Sequence, residues 1–463
     1  MNPRFREGDD RERGTVQYHN SMLAHAANPI MTAANALLRS TLIALAGVTA
    51  VAFACAAEPP RVPVGTNIDE AQVGAFTLPD PLVMANGERV RDAKTWVEKR
   101  RPEIIALFEH HQHGRTPRGS LQAHYDVFDK DTPAFGGKAK RTQVRIRFSN
   151  EPSSPTLRVL LYTPANAEGP VPTLLHLSFS PHVLVIDDPG IEAGFGWNSQ
   201  TKQRVPGREA RKIGSVYPET FLERGFGIAL VYYGDIDPDF DGGAIHGVRA
   251  LFGNVTAPRG PTQWGTIGAW SWGLSRILDY LQTNPRVDGQ RVALSGVSRL
   301  GKAVLWAGAL DERFALVMPL VSGEGGAALS RRNFGETVAD LTSPQRYHYW
   351  YAKNYANYAQ NVSALPVDGH LLIALIAPRP VLLITGSTDF WSDPKGEFLA
   401  AVAAEPVYEL FGKRGLGTNE WPRAETPILH DIGYFMHDGP HEPMPHDYMI
   451  MAQFMAQHLG VRR

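Results

Sequence analysis

The chain has 463 residues, 43% of them hydrophobic and 20% charged, with a net charge of −1 and a pI near 7.0. That length holds one large α/β domain or two of ordinary size, with ample apolar surface for a core. The near-neutral balance speaks against nucleic acid or an anionic membrane surface as a partner.

Residues 40–54, STLIALAGVTAVAFA, form an apolar run preceded by Arg39 and followed by small residues. Ala54 and Ala56 are spaced as an A-x-A cleavage site. This is the layout of a secretory signal peptide near residues 31–56, and the run is short for a membrane span. The polar stretch before it is long for a leader, which makes Met22 or Met31 an alternative start. Cys55, the only cysteine, lies in the cleavage zone, so a mature chain lacking it has neither disulfide nor thiol nucleophile. Lipid attachment at Cys55 is the less favoured reading, because Ala52 and Phe53 fit that motif poorly. The expected product is secreted or periplasmic.

Three segments are expected: an extension with the leader over 1–57, a Pro-rich tether and N-terminal segment over 58–96, and one catalytic domain over 97–463. Residues 97–110 carry helical spacing and end at His110, His111 and His113. Adjacent histidines at a helix end do not face one another, and no carboxylate follows at ligand spacing. They read as a solvated terminus, and no metal site is expected. TQVRIRFSN and TLRVLLYTP then alternate apolar with polar, as half-buried antiparallel strands do. TLLHLSF, GIALVYYGD, RVALSG, FALVMPLV and PVLLITG are short continuous apolar runs, the mark of strands covered on both faces. Helical patterns separate them: 263–282, 302–310, 368–376 and 394–404, with 448–459 closing the chain. The order predicts a doubly wound sheet, mostly parallel after an antiparallel start, with helices on both faces as a three-layer αβα sandwich.

In such a sheet functional groups gather beyond the carboxyl ends of the strands. The loops there yield Ser298 in L-S-G-V-S-R-L-G-K, Glu324 in S-G-E-G-G, Asp389 and Asp393 in D-F-W-S-D, and His437 and His441 in F-M-H-D-G-P-H. Serine, then acid, then histidine is the chain order of the α/β-hydrolase fold, and the trio is what an activated hydroxyl needs. A neutral imidazole takes the serine proton, and a carboxylate fixes the imidazole's tautomer and steadies its charge. The elbow departs from G-x-S-x-G, with Leu300 where glycine is usual and Gly301 next. His441, following Gly439–Pro440, is the favoured base, His437 ends a strand, and His446 reads as a first-turn helix residue. Asp389 follows a buried strand directly and is the favoured acid, with Glu324 the runner-up. Arg299 can aim a guanidinium at the oxygen that gains charge. Two cations, Arg299 and Lys302, in a first helical turn oppose the helix dipole, which suggests that function placed them.

The segment S-R-L-G-K-A-V-L-W-A-G-A-L-D-E-R-F-A-L-V, followed by S-G-E-G-G-A-A-L-S-R-R-N-F-G-E-T, resembles the glucuronoyl esterases. G-D-I-D-P-D-F, L-I-A-L-I-A-P-R-P and D-F-W-S-D-P-K-G-E-F-L extend the likeness, which runs from about residue 97 to the end. The resemblance implies a secreted serine hydrolase that cleaves esters between the glucuronic acid of xylan and lignin alcohols. It implies Ser298 as nucleophile, His441 as base and Arg299 in the oxyanion hole. Lys302, Trp391 and Glu336 are implied at the sugar. Many relatives carry an acid in the loop after the sixth strand, where this chain has Val321; others use the aspartate of D-x-W, here Asp389. No cofactor is implied, and a monomer is expected. An esterase for acetyl or feruloyl groups on xylan, and a catalytically weak carbohydrate-binding relative, are the rival readings.

Overall fold

The computed structural model describes residues 62–118, 121–151 and 154–460. The leader, its cleavage zone and Cys55 lie outside the described residues. Those residues form twelve strands in chain order: β1 His124–Ala134, β2 Ala139–Arg147, β3 Thr156–Pro164, β4 Val171–Ser178, β5 Phe195–Asn198, β6 Gln203–Pro206, β7 Gly227–Tyr232, β8 Val287–Val297, β9 Leu316–Leu320, β10 Val381–Gly386, β11 Ile428–Leu429 and β12 Ile432–His437. Ten form one sheet in the order β1-β2-β3-β7-β4-β8-β9-β10-β12-β11, and β5 pairs with β6 in a separate hairpin. The pairings from β7 through β4, β8, β9 and β10 to β12 are parallel; β1, β2 and β3 enter antiparallel, and β11 closes the far edge antiparallel.

The apolar runs become the middle of this sheet because a strand covered on both faces has no position that tolerates a polar side chain without a partner. Every residue of β4, β7, β9, β10 and β12 is buried. Alternate side chains enter opposite layers, Leu175, Leu294 and Leu383 on one side and Leu174, Ala293 and Leu382 on the other. Five longer helices cover the two faces: α1 Arg101–His111, α2 Thr266–Leu281, α3 Arg299–Leu310, α4 Pro394–Glu409 and α5 Pro445–Leu459. The first four contribute Phe108, Trp270, Trp306 and Phe398 to the first layer, while α5 contributes Met451 and Met455 to the second. Each such buried side chain stabilises the fold by roughly 1.5–3 kcal/mol before its ordering cost is counted. The three-layer α/β-hydrolase architecture is therefore the observed one.

Chain direction across the sheet reverses at β4, which has β7 on one side and β8 on the other. A crevice outside the carboxyl ends of the strands forms at such a switch point. Ser298 follows β8 directly.

Two local expectations change. The tether expected over residues 58–72 meets the domain at Asn67, whose carbonyl accepts the Gly335 N–H at 2.9 Å, and the segment after it is docked, with Phe76, Leu78, Leu82 and Met84 packed against the core. Apolar residues spaced between the prolines supply the area that a free tether lacks. The histidine cluster is a solvated terminus only at His110, which is exposed. His113 is fully buried and stacked on Trp306 with centroids 4.3 Å apart, and burial lowers its pKa to about 3. His111 Nδ1 lies 2.6 Å from the Tyr358 hydroxyl. The chain turns back at Gly114, where a Cβ would come within 2.6 Å of Trp264 backbone, and the residues just past α1 are buried by that turn. Among the described residues no group of three or more His, Cys, Asp or Glu side chains could hold a metal ion.

Candidate active site

Ser298 is the hinge between β8 and α3, and its backbone sits at φ 57°, ψ −126°, in the sparsely populated positive-φ region. Its N–H donates to the Leu320 carbonyl at 2.8 Å and its carbonyl accepts from Lys302 at 3.1 Å. The strained turn is thus tied to β9 on one side and to the first turn of α3 on the other. The shifted glycine pattern is a consequence of packing. Leu300 is fully buried in the core, while Gly301 takes the close approach, where a Cβ would stand 3.0 Å from the Leu320 carbonyl oxygen. At Gly296 a Cβ would meet the Leu300 carbonyl oxygen at 2.7 Å. The elbow therefore keeps both close contacts with the second glycine one position later than usual.

Loops after β8, β10 and β12 converge on one point. His441 Nε2 lies 2.9 Å from Ser298 Oγ, and His441 Nδ1 lies 2.7 Å from Asp389 Oδ2. Because a carboxylate only accepts, Nδ1 carries the ring proton and Nε2 presents its lone pair to the serine hydroxyl. Asp389 is buried at 3% exposure, whereas the His441 side chain is 38% exposed at the mouth of the site. Asp389 is itself held by the Ser392 N–H at 3.3 Å. Ser392 Oγ also sits 3.0 Å from His441 Nδ1 and 3.4 Å from the Val321 carbonyl.

Arg299 borders the same cleft. Its Nη1 donates to Asp239 at 2.7 Å, and its guanidinium carbon lies 4.7 Å from the Trp350 ring and 5.3 Å from the Tyr347 ring. Asp239 in turn accepts from the Tyr349 hydroxyl at 3.0 Å and Trp350 Nε1 at 2.7 Å. Burial alone would weaken the guanidinium's hold on its proton, and the Asp239 charge reverses that, leaving its pKa raised. Arg299 is a fixed cation with its backbone N–H in the first turn of α3, where the helix supplies no carbonyl partner. A cavity of about 860 Å³ opens over Ser298, Arg299 and His441, walled by Trp197, Phe240 and Tyr217.

The other predicted residues lie behind this front. Lys302 is buried, and its ammonium donates to the Ser322 carbonyl at 2.8 Å, the Glu324 carbonyl at 2.6 Å and Glu336 at 3.0 Å. Three donors with three acceptors is the arrangement that a buried ammonium requires. Trp391 is half-buried under the Arg346 guanidinium at 5.0 Å, and Glu336 donates its N–H to the Trp391 carbonyl. Glu324 is engaged elsewhere: its Oε1 accepts from the Tyr355 hydroxyl at 2.6 Å and Ser330 at 2.7 Å. Burial raises its pKa to about 8, which keeps it protonated at neutral pH. His441 is not among its partners, so geometry ranks Asp389 ahead of it.

Three contributors were not singled out from sequence. Asp239 lies in G-D-I-D-P-D-F, and Ser392 lies within D-F-W-S-D, so the signal for both was present without a role. Glu397 accepts from the Gly323 N–H at 2.6 Å and Ser322 Oγ at 3.0 Å, and thereby holds the loop after β9. Burial raises its pKa to about 8.

Comparison with known proteins places this site in a family. The sequence model described as "Glucuronyl esterase, fungi" matches residues 259–412, which span Ser298 and Asp389. Carbohydrate esterase MZ0003, from an unknown prokaryotic organism, is 40% identical over 406 residues, covering 86% of this chain and 93% of that protein. The 4-O-methyl-glucuronoyl methylesterase of Cerrena unicolor is 29% identical over 399 residues, 83% of this chain and 72% of its own. The glucuronoyl esterase from Solibacter usitatus superposes with a TM-score of 0.80 at 41% identity, covering 84% of this chain and 100% of that structure. A promiscuous CE15 esterase from a marine bacterial metagenome superposes at 0.77 with 39% identity, covering 85% of this chain and 100% of its own. With a serine at the strand-to-helix elbow and this likeness along most of its length, the chain belongs to the glucuronoyl esterases, carboxylic ester hydrolases of the α/β-hydrolase fold.

Proposed function

We propose that the protein is a secreted serine esterase that hydrolyses esters of 4-O-methyl-glucuronic acid in glucuronoxylan, including ester links to lignin alcohols. The observation that carries this reading is the continuous hydrogen-bonded relay from Asp389 through His441 to Ser298, beside the fixed Arg299 cation. Ser298 Oγ attacks the ester carbonyl as His441 Nε2 takes its proton, and Asp389 steadies the resulting imidazolium. The oxygen that gains charge is met by Arg299 and first-turn N–H groups; losing one such donor typically costs roughly 3 kcal/mol of transition-state stabilisation. His441 then protonates the leaving alcohol. Water, deprotonated by the same imidazole, hydrolyses the glucuronoyl-serine ester and restores the hydroxyl. Lys302, Glu336 and Trp391 shape the sugar side in this reading, and no cofactor takes part.

The glucuronate assignment draws on the names of relatives, among them the Cerrena unicolor methylesterase. The description of a 39% identical relative as promiscuous favours keeping a second reading, turnover of other xylan esters such as acetyl or feruloyl. Turnover of a methyl or benzyl glucuronate ester, set against acetyl and feruloyl xylan esters, separates the two. Glucuronate preference is expected, with Ser298→Ala lowering kcat by at least about 10³-fold. A stronger preference for either other ester overturns the substrate assignment. Unchanged turnover in Ser298→Ala overturns the nucleophile.

A further inference from the structure

His441 is carried on an exposed loop, yet its ring must stay within hydrogen-bond reach of two partners at once. A second histidine–aspartate pair contacts that loop, its histidine four residues upstream. His437, the last residue of β12, is fully buried and faces acceptors on both sides. Its Nδ1 lies 3.0 Å from Asp447 Oδ2, and its Nε2 lies 3.0 Å from the Pro440 carbonyl oxygen. Neither partner can donate. A neutral imidazole has one N–H, so only the doubly protonated ring satisfies both. The Pro440 carbonyl belongs to the peptide plane that leads into His441. Asp447 is also fully buried, and it anchors the far end of the loop by accepting the Met444 N–H at 2.7 Å at the start of α5.

Backbone bonds extend the same clamp to the acid loop. The Ser387 N–H donates to the His437 carbonyl at 2.9 Å and the Thr388 N–H to the Gly439 carbonyl at 3.0 Å, directly before Asp389. Gly386 makes room for this: a Cβ there would meet Pro440 O at 2.6 Å and His437 Nε2 at 2.8 Å. We propose that His437, as a buried imidazolium paired with Asp447, is a positioning residue that holds the Pro440–His441 peptide and so aims His441 at Ser298.

Burial opposes the charge on His437, while Asp447 and the Pro440 carbonyl favour it, and the balance leaves its pKa raised above the ordinary imidazole value. The other titratable neighbours are His446, 6.2 Å away ring to ring, 3.1 Å from Glu425 and 4.0 Å from Asp447 itself, and Asp389, whose charge also favours the protonated ring. The folded pKa is raised, so the clamp present at the ordinary imidazole value is lost as pH climbs through the higher folded one.

The inference rests on the proposed Ser298–His441–Asp389 relay, and its test separates the two. Labelling of Ser298 by a fluorophosphonate needs His441 correctly aimed but needs no sugar. In the full chain, His437→Gln and Asp447→Asn are expected to lower the labelling rate and kcat per folded molecule by 10- to 100-fold, as about 1 Å of misplacement does, with KM within about twofold. The wild type is expected to lose labelling rate reversibly above the usual imidazole range while its far-UV circular dichroism stays unchanged. Should neither variant fold, that wild-type profile decides, and a rate that does not fall up to pH 10 overturns the proposal. Variants that fold and label at the wild-type rate overturn it as well. If Ser298→Ala labels as fast as wild type, it is the relay reading that has failed.

Discussion

Ser298 and Val321 share an unusual backbone state, with φ at 57° and 43°, at the ends of the adjacent strands β8 and β9. For a β-branched residue such a φ is a genuine outlier, costing of order 1–3 kcal/mol, and it persists only where the surroundings dictate it. Val321 is held by its N–H to the Ile384 carbonyl at 2.7 Å, and its apolar side chain is buried where many relatives are expected to carry an acid. With no carboxylate there, the choice falls between Asp389, on the imidazole, and Glu324, on Tyr355 and Ser330. Asp389→Asn leaves the shape but offers His441 an amide in place of an acceptor-only group, and kcat is expected to fall by about 10³–10⁴-fold. Glu324→Gln retains an oxygen for both hydroxyl donors and is expected to keep kcat within about threefold. Its signature is in stability. Glu324 ionises near 4.5 ordinarily and near 8 when folded, so between those values the folded chain keeps a proton that the unfolded chain has lost. Stability therefore falls as pH rises through that window. Thermal melts at pH 5 and pH 8 are expected to show Glu324→Gln gaining on wild type at pH 8; a gain confined to pH 5 contradicts the burial argument.

The elbow works because α3 lies very close to the sheet. Gly296, Gly301 and Gly308 each stand where a Cβ would press on a neighbour, the last against Val317 Cγ2 at 2.6 Å. Gly296→Ala meets rigid backbone at 2.7 Å, whereas Gly301→Ala meets its nearest neighbours at 3.0 and 3.1 Å. Urea unfolding is expected to show Gly296→Ala destabilised by about 2–3 kcal/mol and Gly301→Ala by less, since overpacking costs scale with how little the neighbours can yield. Much of this level was legible in the sequence: short apolar runs between turn residues marked β4, β7, β8, β9 and β10, and their loops marked Ser298, Asp389 and His441. The edge strand β1 and the β5–β6 hairpin were not, because their exposed positions carry no apolar pattern. Asp239 and His437 could not be given roles either. What each side chain does depends on a partner, Arg299 for one and the Pro440 carbonyl for the other, whose proximity only the folded sheet supplies.

At the scale of the whole molecule, the N-terminal stretch is a strap that ties together the loops carrying Glu336 and Trp391. Glu70 bridges Arg332 and, at 2.9 Å, Lys395; Arg332 also grips Asp393 at 2.8 Å, and Asp393 caps α4 directly after the Trp391 turn. Asn67 holds Gly335, the residue before Glu336, and the Pro79 and Pro81 carbonyls lie 2.8 Å from His370 Nε2 and 3.1 Å from Arg100 Nε. Composition made the segment look like a linker, yet Arg332 and Asp393 are nearly fully buried and Glu70 is the partner that continues their network. Removing the strap strips apolar cover from the core and withdraws one carboxylate from a buried guanidinium, losses of several kcal/mol together. A chain of residues 59–463, which keeps the strap, is therefore the reference for melting and turnover. Reductant is expected to leave it unchanged, since it contains no cysteine. A chain of residues 93–463 is expected to melt at least about 5 °C lower, or to be recovered only as aggregate, with the greater loss of activity on substrates that depend on the Glu336–Trp391 side. Equal melting temperatures for the two truncations would show that residues 62–92 add no stability.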